Sequence, residues 1–131
     1  MISLIDKLAE SANKNFVLVA KNHDEMVRFR DEIWEKAKQY EPPSLVKWWL
    51  PLAFELRSVL ESRLIISSKD NVEVKVRGRS IDVLLISYRV RKEPIIWKIG
   101  QCVKPDGTIS IFWPKSYLKE QFMGRMTGEI L

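Results

Sequence analysis

From Asn71 to Pro114 apolar and polar residues trade places in short runs. Val72, Val74 and Val76 alternate with Glu73, Lys75 and Arg77, the period of a strand with one buried face. Gly78 and Arg79 interrupt the alternation, and Ile81, Val83 and Leu85 resume it. The spacing predicts a hairpin that turns at Gly78, with Val76 opposite Ile81 and Lys75 opposite Asp82. The second strand is expected to run to Val90. Arg91 to Pro94 reads as the next turn, because proline is disfavoured inside a central strand. Ile95 to Val103 reads as a third strand and Lys104-Pro105-Asp106-Gly107 as a further turn. Thr108 to Trp113 reads as a fourth strand, stopped by Pro114. The expected arrangement is an antiparallel meander.

Those turns divide the residues between two faces. One gathers Val72, Val74, Val76, Ile81, Val83, Leu85, Ile109, Ile111 and Trp113 as a core face. The other is polar at the hairpin end and apolar beyond it, with Leu84, Ile86, Tyr88, Ile95, Trp97, Ile99 and Phe112. The second strand is therefore apolar on both sides, which a sheet with one face in water does not show. A helix of the same chain, a second copy or a ligand must cover the second face. A second copy is the expectation, since the chain after Trp113 offers only one short helix.

The preceding half carries helical spacing. Ile2, Ile5, Leu8, Ala9 and Ala12 predict a helix from Met1 to Asn13. Phe16 to Ala20 is a short apolar run that fits a strand or a helix extension. Asn22 or Asp24 caps a second helix reaching Tyr40, striped by Met26, Phe29, Ile33 and Ala37, and Pro42-Pro43 ends it. Ser44 caps a third helix to Leu64, striped by Leu45, Trp48, Trp49, Leu52, Leu56, Val59 and Leu60, with Pro51 kinking or restarting it. Lys115 to Met123 reads as a short helix. The expected fold is α+β in a single domain: a helical layer over residues 1–65, a four-stranded antiparallel meander over 71–114, and a short C-terminal helix over 115–123.

Composition narrows the function classes. The chain has 131 residues, is 46% apolar and carries a net charge of +5. Residues 1–65 hold 10 basic and 10 acidic side chains, whereas residues 66–131 hold 12 and 7, so the whole excess lies in the second half. That points to an anionic partner on the sheet side. One cysteine, Cys102, allows no internal disulfide and no multi-cysteine metal site. The only histidine, His23, has no second member for a triad or metal cluster. No run approaches the roughly 20 apolar residues of a membrane span. Asp6, Lys7 and Glu10 break any secretory signal. The expectation is a protein that acts inside a cell or in a particle assembled there.

No nucleotide-binding or nucleophile motif is present, so no cofactor, metal or small-molecule substrate is expected. The candidate binding residues are Trp97, Tyr88 and Phe112, which can stack bases, together with Lys75, Arg77, Arg79, Arg91 and Lys92, which can meet phosphates. The same aromatics can instead pack against a helix or a second subunit. Gly78 to Ile86 followed by Ile96-Trp97-Lys98, with Glu55 upstream, resembles the core of the PD-(D/E)XK nucleases. That resemblance implies a metal-dependent nuclease using Glu55, Asp82 and Lys98. The chain departs from the motif at Ile96, where an acid or glutamine should help hold the metal. In overall character, small, rich in Trp and Ile and poor in Cys, the chain resembles the orphan proteins of archaeal viruses. The expected function is a non-enzymatic structural or binding component. It would form homo-oligomers or bind nucleic acid through an aromatic and basic sheet face, with a degenerate nuclease as the alternative.

Overall fold

The computed structural model of the protein describes residues 4–39, 46–50, 54–114 and 129–130. Helix α1 (Leu4–Glu10) buries Leu4, Ile5 and Leu8. Strand β1 (Asn15–Ala20) follows, buried from Phe16 to Ala20 without interruption, which settles the apolar run as a central strand. Helix α2 (His23–Lys38) starts where its cap predicts: Asn22 Oδ1 accepts the Glu25 N–H at 3.0 Å. Its inner stripe is Met26, Phe29, Ile33 and Ala37.

The third predicted helix does not form over the described residues. In its place stand β2 (Val46–Leu50), β3 (Glu55–Ser58) and β4 (Arg63–Ser68). Leu56 and Ser58 are buried while Glu55 and Arg57 are half-buried, so β3 follows a period of two. The helical stripe shared Leu56 with that pattern and hid it. Residues 115–123, where a terminal helix was expected, lie outside the described residues.

Two of the four expected strands are helices. Val72 and Val76 are buried on α3 (Val72–Val76), while Val74 is 67% exposed. Positions i and i+4 satisfy a helix as well as a strand, and Val74 decides between them. Likewise Ile95 and Ile96 are half-buried and Ile99 is buried on α4 (Pro94–Gly100), whose first residue is the proline read as a turn. Between them β5 (Ile81–Ser87) is a strand as expected, followed by a 3-10 turn over Tyr88–Val90. Strand β6 (Val103–Trp113) and the two-residue β7 (Glu129–Ile130) complete the chain.

Helices and strands thus combine, but in a mixed sheet ordered β2-β3-β4-β1-β5-β6-β7 rather than a meander. β4, β1, β5, β6 and β7 run parallel, and β2 and β3 are antiparallel additions at one edge. Parallel neighbours cannot be joined by two-residue turns, so α3 and α4 serve as crossovers. They are the cover that the two-sided strand required. Leu84 and Ile86 pack with Val76 of α3 and Ile99 of α4 on one side of β5. Leu85 packs on the other side with α1 and α2, alongside Phe16, Phe29 and Leu64. The chain itself, not a second copy, buries the second face.

The turn expected at Lys104–Gly107 does not form as one: β6 runs through the segment, and Gly107 is not in the left-handed region. Ile81 pairs with Val103 and Val83 with Thr108, so the four residues from Lys104 to Gly107 stand opposite Asp82 alone, as an outward loop within β6.

Candidate functional site

The five parallel strands change direction of travel at β1: the chain goes first to β4, then back across to β5. In open sheets of this kind, ligands favour the carboxyl ends of the strands at that reversal. Among the described residues Glu25 stands at that end. Glu25, buried in the first turn of α2, accepts the Lys21 N–H on Oε1 at 2.8 Å and meets Arg89 Nε at 3.6 Å on Oε2. A carboxylate on a helix N-terminus satisfies the donors an anionic ligand would use.

The opposite end of the sheet is built differently. A cavity of about 540 Å³ opens at the amino ends of β1, β4, β5 and β6, lined by Asn13, Asn15, Arg57, Glu61, Arg63, Gly78, Arg79, Ser80 and Lys104. Among the described residues four cations thus face it against one carboxylate. Asn13 (φ 56°), Glu61 (φ 68°) and Gly78 (φ 74°) all hold left-handed backbone on its wall. For Glu61 that conformation is uncommon and costs of order 1–3 kcal/mol, a kind of strain that gathers at functional sites.

Each cation is placed for a physical reason. Arg57 and Arg63 are direct cross-strand partners in β3 and β4. Like charges in that relation repel, and Glu55 offsets the repulsion, with Oε1 2.7 Å from Arg63 and 3.9 Å from Arg57. Glu61 adds a contact to Arg57 at 3.8 Å. Both arginines are recessed, about a quarter exposed. Lys104 rides on the β6 loop and meets Asp82 at 3.1 Å, with Lys14 at 3.9 Å from the same oxygen. Asp82 also accepts the Asn15 N–H at 2.8 Å, tying β1 to β5. Burial of its carboxyl opposes ionisation, but the Asn15 N–H and the two lysines outweigh that and hold it below the usual aspartate range. Among the described residues Arg79 has no ion partner. With Lys14 included, five cations of the described residues stand against Glu55, Glu61 and Asp82, a net +2 among those residues.

Two smaller hollows lie elsewhere on the surface, one of them adjoining the first. One of about 370 Å³, between α3 and α4, shares Gly78, Arg79 and Ser80 with the first and adds Arg77, Lys98 and Cys102. Lys98 bridges to Glu73 at 2.7 Å and holds that carboxyl below its ordinary range. The other, also about 370 Å³, lies on the far flank of α4 and is lined by Arg91, Ile96, Trp97, Gly100, Gln101 and Ile109. Trp97 is 81% exposed there and Ile109 52%.

The sequence-derived residues therefore scatter. Arg77 and Arg79 reach the basic end of the sheet, and Lys75 is exposed nearby on α3. Trp97 stands on a helix, not on a sheet face, with Arg91 beside it; Lys92 is exposed in the preceding turn. Tyr88 is engaged: the Arg91 guanidinium lies 3.5 Å from its ring centroid and the Trp113 ring 5.0 Å away. Phe112 is fully buried against Phe29, ring centroids 5.0 Å apart, and cannot stack a base. The single sheet face that was to unite these residues is absent, because α3 and α4 lie over it. Arg57, Arg63 and Lys104 were missed. Their signal was the pair Arg57 and Arg63 flanking a strand-to-strand turn, masked by the reading of residues 44–64 as helix.

Glu55, Asp82 and Lys98 take three different sets of ion partners, and Lys98 is carried by α4 rather than by the strand following Asp82. Among the described residues no three His, Cys, Asp or Glu side chains gather as a metal site, and no helix is long and apolar enough to cross a membrane. Comparison with protein-family models, curated proteins and solved structures finds no match to this chain.

Proposed function

We propose that the protein is a non-enzymatic nucleic-acid-binding protein that holds the phosphate backbone at the amino ends of its parallel strands. One observation carries this reading: Arg57, Arg63, Arg79 and Lys104, from four separate segments, converge on one cavity against a single lining carboxylate among the described residues. Clustered arginines suit phosphate because the guanidinium matches its oxygens in a fork. A viral setting, which the chain's overall character suggests, would supply the polymer as a genome. The test is fluorescence anisotropy with a labelled oligonucleotide across a salt series. Affinity should fall steeply with salt, and Arg79→Ala should lower the slope of log K against log salt by about 1. Arg79 is exposed, so the variant stays folded. Absence of binding at low salt, or an unchanged slope in Arg79→Ala, overturns the proposal.

A second reading, self-association, is favoured by the exposure of Trp97 and Ile109 around one apolar hollow. Light scattering over a range of protein concentrations tests it: a mass that rises in the wild type and stays monomeric in Trp97→Ala supports association through this flank.

A further inference from the structure

We infer that the polymer is single-stranded and crosses the α3–α4 layer, with phosphates in the basic cavity and a base stacked on Trp97. This rests on the nucleic-acid reading above and deepens it. Arg57 and Arg63 are only about a quarter exposed. A duplex presents its phosphates on a stiff rod with a persistence length of about 150 base pairs, and such a rod does not dip a phosphate into a recess. A single strand bends at every nucleotide and can.

The surface beyond the cavity continues in the same sense. Arg79 forms the lip shared with the α3–α4 hollow, where Arg77 supplies further positive charge and Lys98 is paired with Glu73 at 2.7 Å. Lys98 adjoins Trp97 on α4, and Ile99 of that hollow adjoins Gly100 of the next. The first two hollows share a wall, and α4 lies between the second and the third. The last presents an indole that is 81% exposed beside Arg91. Alternating cations and an exposed aromatic ring make up the usual platform for a single strand, where the cations meet the backbone and the ring takes a base of any sequence. The exposed tryptophan is the element that duplex binding leaves unused, since bases inside a duplex already stack on one another.

The experiment compares a single-stranded oligonucleotide with its duplex, at fixed salt, for the wild type, Arg79→Ala and Trp97→Ala. Both side chains are exposed, so thermal melting of each variant should match the wild type. The single strand is expected to bind at least about tenfold tighter than the duplex. Trp97→Ala is expected to weaken single-strand binding about 5- to 150-fold and leave duplex binding unchanged. Equal or tighter duplex binding that still depends on Arg79 leaves the nucleic-acid function standing and overturns the single-strand inference. Unchanged single-strand affinity in Trp97→Ala, with loss of an oligomer, overturns it in favour of self-association. No binding to either form removes both proposals.

Discussion

Asp82 joins three strands at one carboxylate, and removing it should be costly. Asp82→Ala takes the acceptor from the Asn15 N–H, 2.8 Å away and partly buried. An orphaned donor of that kind is worth about 1–3 kcal/mol. The ion pairs to Lys104 and Lys14 involve ammoniums that are 42% and 47% exposed, so each adds only about 0–1 kcal/mol. Together the loss should be about 1–5 kcal/mol, a large part of the 5–15 kcal/mol typical of a domain. Urea denaturation with an unchanged m-value reads it directly. Asp82→Asn keeps an oxygen for the Asn15 N–H and loses only the charge, so its cost should be smaller. Its difference from wild type should also depend on pH. The folded pKa of Asp82 is lowered, so the charge contributes stability above the unfolded value of about 3.9, and the contribution disappears as pH falls through the folded value. At neutral pH, Asp82→Asn should also tighten binding of an anionic polymer, because Lys104 loses its carboxylate. A cost below about 0.5 kcal/mol for Asp82→Ala would refute the clasp.

Two further outcomes test the fold. Val74→Lys should change stability by less than about 0.5 kcal/mol, whereas Val76→Ala should cost about 1.5–3 kcal/mol; equal costs in denaturant melts would mean that Val72–Val76 is a strand. At Gly107 an added Cβ would lie 2.6 Å from Val103 Cγ1 and 2.7 Å from the Asp82 carbonyl oxygen, so Gly107→Ala should cost about 1–3 kcal/mol, and a melting temperature equal to wild type would exclude the tight β6 loop.

How much of this was legible in the sequence depended on whether a pattern had one periodic reading. For α2, Asn22 and the Met26, Phe29, Ile33 and Ala37 stripe agree on a helix and on nothing else. For β5 the two-sided apolar run correctly required cover on both faces. Val72–Val76 was ambiguous, since its outer valines fit both periods and only burial separates them. Leu56 likewise belonged to two patterns, and choosing the helical one concealed β3, β4 and, with them, Arg57 and Arg63. Pro105-Asp106-Gly107 carries the composition of a turn, but the segment bulges from β6 without a left-handed glycine and the strand keeps its course. Parallel pairing cannot be seen locally at all, because it joins residues far apart in the chain.

That separation has a consequence for how the chain reaches its native state. β1 is flanked by β4 and β5, and the contacts that fasten it run from Lys14 to Ser62, 48 residues on, and from Asn15 to Asp82, 67 residues on. At ribosomal rates of about 5–20 residues per second, β1 emerges several seconds before its last partner. Through that interval α1 and α2 can shelter one side of it, while Val17 and Val19 wait for residues not yet made. The antiparallel β3–β4 pair closes over a short loop and can form first, giving β1 an edge to join. Refolding should therefore be slow relative to a helical bundle of the same length, and a chain interrupted before Ile81 would present one bare side of its central strand to any neighbour.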